Sequence, residues 1–155
     1  MKARRILIVG LNYAPEPVGI GPYSRGLAEA LAAKGSAVEV VAGQPYYPQW
    51  QRYPGFSRGW RRTVENGIAI TRCPHYVPAE PGGLKRIVHL ASFAVSALIP
   101  ALGAALRSRG QRPELVIAVA PALLSVVSAW IAARLAGARL WIHVQDFEVE
   151  AALAT

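Results

Sequence analysis

A chain of 155 residues, 53% of them apolar, is the length of one domain and can bury about 68–70% of its unfolded surface, which excludes a disordered tail or a stapled mini-protein. Lys and Arg outnumber Asp and Glu by 17 to 9, and residues 1–62 hold nine of the bases but three of the acids, so the partners to expect are anionic: a membrane surface, a nucleic acid or a phosphorylated substrate. Cys73 is the single cysteine and no Cys/His cluster has zinc spacing, so neither an internal disulfide nor a structural metal is expected.

Arg5–Gly10 is a short run rich in β-branched residues and reads as a strand buried on both faces, as in a parallel sheet. Although Lys2, Arg4 and Arg5 precede it, Ile6–Val9 is too short for a signal-peptide core, so a cytoplasmic protein is expected. Asn12, Pro15, Pro17, Gly19 and Gly21 then force a loop. Pro22 suits the first turn of a helix, Tyr23–Lys34 carries Leu27, Ala28 and Leu31 at helical spacing, and Gly35 ends it. Backbone amides at such a helix start favour a phosphate, and Gly19 and Gly21, flanking Ile20 and followed by Tyr23, would let it approach the main chain. The same glycines equally suit a surface loop that only needs positive φ.

Ala37–Ala42 is a second strand, completing a βαβ step. Gly43–Arg62 follows as a long loop of prolines, aromatic rings and arginines. Trp50, Trp60, Arg52, Arg58, Arg61 and Arg62 would suit a membrane interface, single-stranded nucleic acid, or a packed lid with solvated arginines. Asn66-Gly67 marks a hairpin within Thr63–Arg72, and Pro74–Gly83 is another loop. Leu84–Leu106 has no charge after Arg86, yet it falls just short of a membrane span and Pro100 and Gly103 interrupt it, so a buried crossover helix or one partly in the bilayer interface is expected. Leu115–Val119 is a strand, Ala122–Ala136 an apolar helix ending at Gly137, and Arg139–Val144 a further strand followed by the acidic Gln145–Glu150. Ligands bind beyond the carboxyl ends of strands in such sheets, so Asp146 and Glu148 share an edge with the Gly19–Gly21 loop. The sheet reads as unfinished at Thr155, as in a fragment.

The segment from Asn12 to Trp50, with its GIGPYS and PYYPQW elements, together with IHVQDFEVEAA, resembles the N-terminal domain of family 4 glycosyltransferases of the colanic-acid-biosynthesis type. The resemblance implies an α/β, Rossmann-like domain with a mainly parallel sheet and helices on both faces. It would be the incomplete N-terminal half of a GT-B fold, with residues 1–155 as a single truncated domain. It further implies transfer of a sugar from a nucleotide-sugar donor, such as a GDP- or UDP-sugar, to a lipid-linked glycan acceptor, with retention and without metal or cofactor. On that likeness Gly19 and Gly21 face the donor diphosphate, and Asp146, with His143 nearby, lies beside the reacting hydroxyl. His143, between Ile142 and Val144, equally suits a hydrogen-bonded core position. The expected place is the inner face of the membrane, as a peripheral protein, with nucleic acid the lesser candidate. This chain alone should be inactive, because the donor-binding domain is missing from it.

Two rival readings are a non-catalytic membrane- or nucleic-acid-binding module and an NAD-dependent dehydrogenase. The latter wants G-x-G-x-x-G directly after the first strand and an acid ending the second, where this chain has Ala42-Gly43-Gln44.

Overall fold

The computed structural model describes residues 3–120 and 122–145. Its elements follow in the order β1 (Arg5–Gly10), α1 (Ile20–Ala33), β2 (Ala37–Gly43), β3 (Arg61–Glu65), β4 (Ile68–Cys73), α2 (Gly83–Ala105), β5 (Leu115–Ala120), α3 (Leu123–Ala136) and β6 (Arg139–Val144). The six strands form one sheet in the order β3-β4-β2-β1-β5-β6, and every pair is parallel except the β3–β4 hairpin. The expected α/β, Rossmann-like architecture is therefore present.

Side chains alternate across the sheet and meet helices on both sides. Ile6, Ile8, Val38, Val40, Ile68 and Ile117 pack beneath Ala28, Leu27 and Leu31 of α1. Leu7, Val9, Val41, Val116 and Ala118 pack beneath α2 and α3. Those two helices present Ala97, Ala101, Ala104, Ala129, Ala132 and Ala133 inward, so small side chains let them approach the sheet and each other. Each parallel strand ends at the same edge. The loops after β1, β2 and β4 gather there, and the strand order reverses between β1 and β5, the usual ligand crevice of such sheets.

Asn66 (φ 51°) and Gly67 (φ 76°) both take the left-handed conformation that a two-residue hairpin turn requires. Helix α1 begins three residues before the expected Tyr23, because Gly19, at φ 69°, can turn the chain directly into it. The loop after β2 is also shorter than expected: β2 reaches Gly43, and Arg61 and Arg62 already belong to β3.

The expected interruption of α2 does not occur. The helix runs 23 residues through Pro100, which cannot donate to the carbonyl of Ser96. That carbonyl instead accepts the indole N–H of Trp60 at 3.1 Å, so an orphan created by proline is satisfied from the neighbouring loop. By length and composition α2 could cross a membrane, but His89, Phe93, Ala97, Ala101, Ala104 and Ala105 of its inner face are buried.

Candidate functional site

The loop after β1 and the loop after β2 are joined by one buried carboxylate. Glu16 Oε1 accepts the backbone N–H groups of Tyr46 at 2.9 Å and Tyr47 at 3.1 Å, while Oε2 accepts from Asn12 Nδ2 at 2.9 Å. Burial raises the Glu16 carboxyl above its ordinary value, opposed by these hydrogen bonds and by the Arg72 charge. Glu16→Ala should therefore cost about 2–4 kcal/mol, since two buried backbone donors each lose an acceptor at roughly 1–3 kcal/mol. Glu16→Gln, which keeps an acceptor, should cost less. Urea unfolding reads both, and a Glu16→Ala loss below about 1 kcal/mol would show that the two loops are not coupled through this residue.

Arg72, the last-but-one residue of β4, is buried beneath the same loops. Its guanidinium donates to the carbonyls of Gly43, at 3.1 Å, and Ala14, and lies 5.4 Å from the Tyr13 ring centroid and 5.7 Å from that of Phe56. Burial lowers its pKa, with Glu65 and Glu16 opposing. Arg72 and Glu16 thus fasten the two loops to the sheet by charge-assisted hydrogen bonds, which are stronger than neutral ones.

The glycines sit within this framework. Gly19 is the residue before α1, and a Cβ there would stand 3.2 Å from the Tyr47 ring. A Cβ on Gly21 would stand 3.0 Å from the Glu16 backbone carbonyl. The space left by both missing side chains therefore faces other parts of the protein, whatever ligand their amides serve. Ile20 is half-buried against the core beneath α1, and Tyr23 is exposed.

The described residues also hold a pair of buried histidines absent from the expected site. His75 and His89 have ring centroids 5.1 Å apart and share a box with Tyr46, Trp50 and Phe93. Burial, together with the charges of His89 and Arg52, pushes the His75 imidazole down to about 3, its bond to Cys73 opposing, and burial likewise lowers His89. Both rings are neutral near pH 7. Each Nδ1 faces a backbone carbonyl, of Cys73 and Tyr76 respectively, and so carries the proton. Each Nε2 is left as a buried acceptor with no hydrogen-bond partner among the described residues. Their only sequence signal was histidine in otherwise apolar surroundings, which is why they escaped notice.

His75 reaches a shallow groove of about 360 Å³ lined also by Trp50, Arg52, Tyr76 and Val77. A second groove of about 340 Å³, between Pro15, Pro17, Tyr53 and Pro54, shares Gln51 and Arg52 with the first. Arg52 therefore lines both, and Trp50, at φ 54°, holds a backbone conformation rare for a bulky residue. The other expected surface residues are dispersed. Arg58 is exposed in the loop, Trp60 leans on α2, Arg61 is exposed on the edge strand β3, and Arg62 lies 3.8 Å from Glu39 across the sheet.

His143 is exposed on β6, in register with Val119, and lines a separate apolar recess with Leu27, Leu31 and Trp141. It is not the buried core histidine that was one of its two expected settings. Gln145 N–H reaches the carbonyl of Ala120 at 3.5 Å, carrying β6 to the ligand edge. Asp146 and Glu148 lie outside the described residues. Cys73 is buried and its thiol is pushed up to about 12 by burial, so it is no nucleophile. Among the described residues no cluster of three or more His, Cys, Asp or Glu could hold a metal.

The chain is 45% identical, over 150 residues, to a protein of Escherichia coli K12 named as a colanic acid biosynthesis glycosyl transferase, WcaI. That match covers 96% of this chain and 36% of the relative, so the chain spans about a third of the relative's length. The family described as a glycosyl transferase 4-like domain matches residues 18–154, which include the α1 start, the Glu16-braced loop after β2 and the strand leading to Asp146. With that match spanning most of a Rossmann-like sheet, the chain belongs to the glycosyl transferase 4-like domain family.

Proposed function

We propose that the protein carrying this chain transfers a sugar from a nucleotide-sugar donor to a lipid-linked glycan acceptor, with retention of configuration, at the cytoplasmic face of the membrane. The observation that carries the reading is the 45% identity to a colanic acid biosynthesis glycosyl transferase over almost the whole chain. In support, the loops at the ligand edge place Arg52 in the lining of two grooves. An arginine can meet the diphosphate of an acceptor. Gly19 and Gly21, through the amides at the start of α1, would face the donor diphosphate, and Asp146 would orient or deprotonate the attacking hydroxyl with His143 close by. A cofactor has no part in this chemistry.

The test is transfer by the full-length protein from a panel of GDP- and UDP-sugars to a polyprenyl-diphosphate-linked glycan, with the product anomer read by NMR. Transfer with the donor's anomeric configuration kept is the expected result. Inversion would refute retention, and no transfer with any donor would refute the acceptor class.

A further inference from the structure

Helix α2 offers water a face that a soluble helix rarely exposes. Leu84, Val88, Val95 and Ile99 recur at spacings of four, seven and four, which places them on one side of the helix. That side points away from the sheet: Val95 is 70% exposed and Ile99 60%. Helix α3 lies alongside, held by the Ser128 hydroxyl donating to the Ala94 carbonyl, and continues the surface with Val127 and Trp130, the latter 53% exposed. On the other flank of α2, Trp60 is held at the Ser96 carbonyl and is 50% exposed. The apolar surface is therefore continuous from one half-exposed tryptophan to another.

Its charges have one sign. Neither helix contains an Asp or Glu. Both helices follow the carboxyl end of a strand and return toward the opposite sheet edge, so Lys85 and Arg86 stand at one end of the slab and Arg134 at the other. An apolar strip about 35 Å long with cations at its ends and tryptophans along its sides matches an interface between acyl chains and anionic headgroups. A second copy of the face is a poor match, because its charges would meet only their like.

We propose that the outer face of α2 and α3 is the surface by which this protein lies on an anionic bilayer, in the plane of the membrane and immersed to one side only. Immersion is one-sided because the inner face of α2 is already buried on the sheet, which also rules out a span by the helix as packed here. The inference deepens the reading of a lipid-linked acceptor and rests on it for purpose, since the ligand-edge grooves would then lie near the membrane that carries that acceptor.

The test uses the full-length protein, its Val95→Asp/Ile99→Asp variant and its Arg58→Ser/Arg61→Ser/Arg62→Ser variant, with phosphatidylcholine vesicles with or without phosphatidylglycerol. The wild type should bind the anionic vesicles preferentially and less tightly in high salt. The Asp variant should lose binding by about 10²-fold or more, while the Ser variant should lose much less. Loss in the Ser variant with retention in the Asp variant would overturn the proposal in favour of the basic loop and strand edge. Fluorescence provides a readout without the helix variant: quenching by lipids brominated on their acyl chains is expected in a Trp50→Phe/Trp60→Phe/Trp141→Phe background and should drop when Trp130 is changed to Phe as well. Absence of quenching, or a wild-type protein that ignores vesicles, would mean that a second copy or another segment covers the face and would overturn it. Transfer to a water-soluble short-chain acceptor should be unchanged in the Asp variant. Vesicle binding without any transfer would sink the catalytic reading and leave the surface standing, and transfer without vesicle binding would do the reverse.

Discussion

Asp146→Asn in the full-length protein should lower turnover by about 10²–10⁴-fold, the usual contribution of a positioned general base. The amide keeps the size and much of the hydrogen bonding of the carboxylate but cannot accept a proton from the attacking hydroxyl. Donor affinity should hardly change, because the carboxylate faces the acceptor side of the reaction in this reading. The candidate has little competition among the described residues. Glu16 is spent on three hydrogen bonds within the protein, and His75 and His89 have their free ring nitrogens buried in an aromatic box, where burial lowers their affinity for a proton. Single-turnover transfer and donor titration on wild type and variant separate the two quantities. Undiminished turnover would remove Asp146 from the mechanism, and lost donor binding would move it to the donor side.

Acidification from pH 7 to pH 5 should cost the fold about 2 kcal/mol through His75 alone. An ordinary histidine titrates near 6.5, whereas His75 in the folded chain is pushed down to about 3. Below pH 6.5 the unfolded chain takes up a proton that the folded chain refuses, so this stability is complete above that value and falls as pH drops toward 3, by roughly 1.4 kcal/mol per pH unit. The full loss approaches about 4–5 kcal/mol near pH 3. His89 acts in the same direction. Glu16 opposes it, because its raised carboxyl takes up a proton in the folded state before the unfolded one does. Urea unfolding at pH 7 and pH 5 should show the loss, and His75→Phe should flatten the dependence. A His75→Phe variant that loses as much stability between pH 7 and pH 5 as the wild type would show that His75 does not carry the dependence.

The layout was legible in local pattern. Runs such as Ile6–Val9 and Leu115–Val119 are too short and too β-branched for helices and too apolar for an exposed sheet, so they declare parallel strands without tertiary information. Asn66-Gly67 names its own turn, because both residues tolerate positive φ. The GIGPYS and PYYPQW elements were enough to point to the glycosyltransferase likeness.

What escaped the sequence is what depends on contacts between distant residues. Glu16 and Tyr46 are separated by 30 positions and Arg72 and Ala14 by 58, so no local pattern could reveal that a carboxylate between two prolines braces one loop while an arginine at a strand end holds another. Pro100 reads as a helix breaker until Trp60 is seen to donate to the Ser96 carbonyl that the proline leaves without its helical partner. His75 and His89 become neutral neighbours only when the end of β4 and the first turns of α2 converge. The chain's own periodicity makes α2 apolar on nearly every side. Only its packing decides which of those sides meets the sheet and which is left facing outward, because burial is a property of the neighbours a residue finds and not of the residue alone.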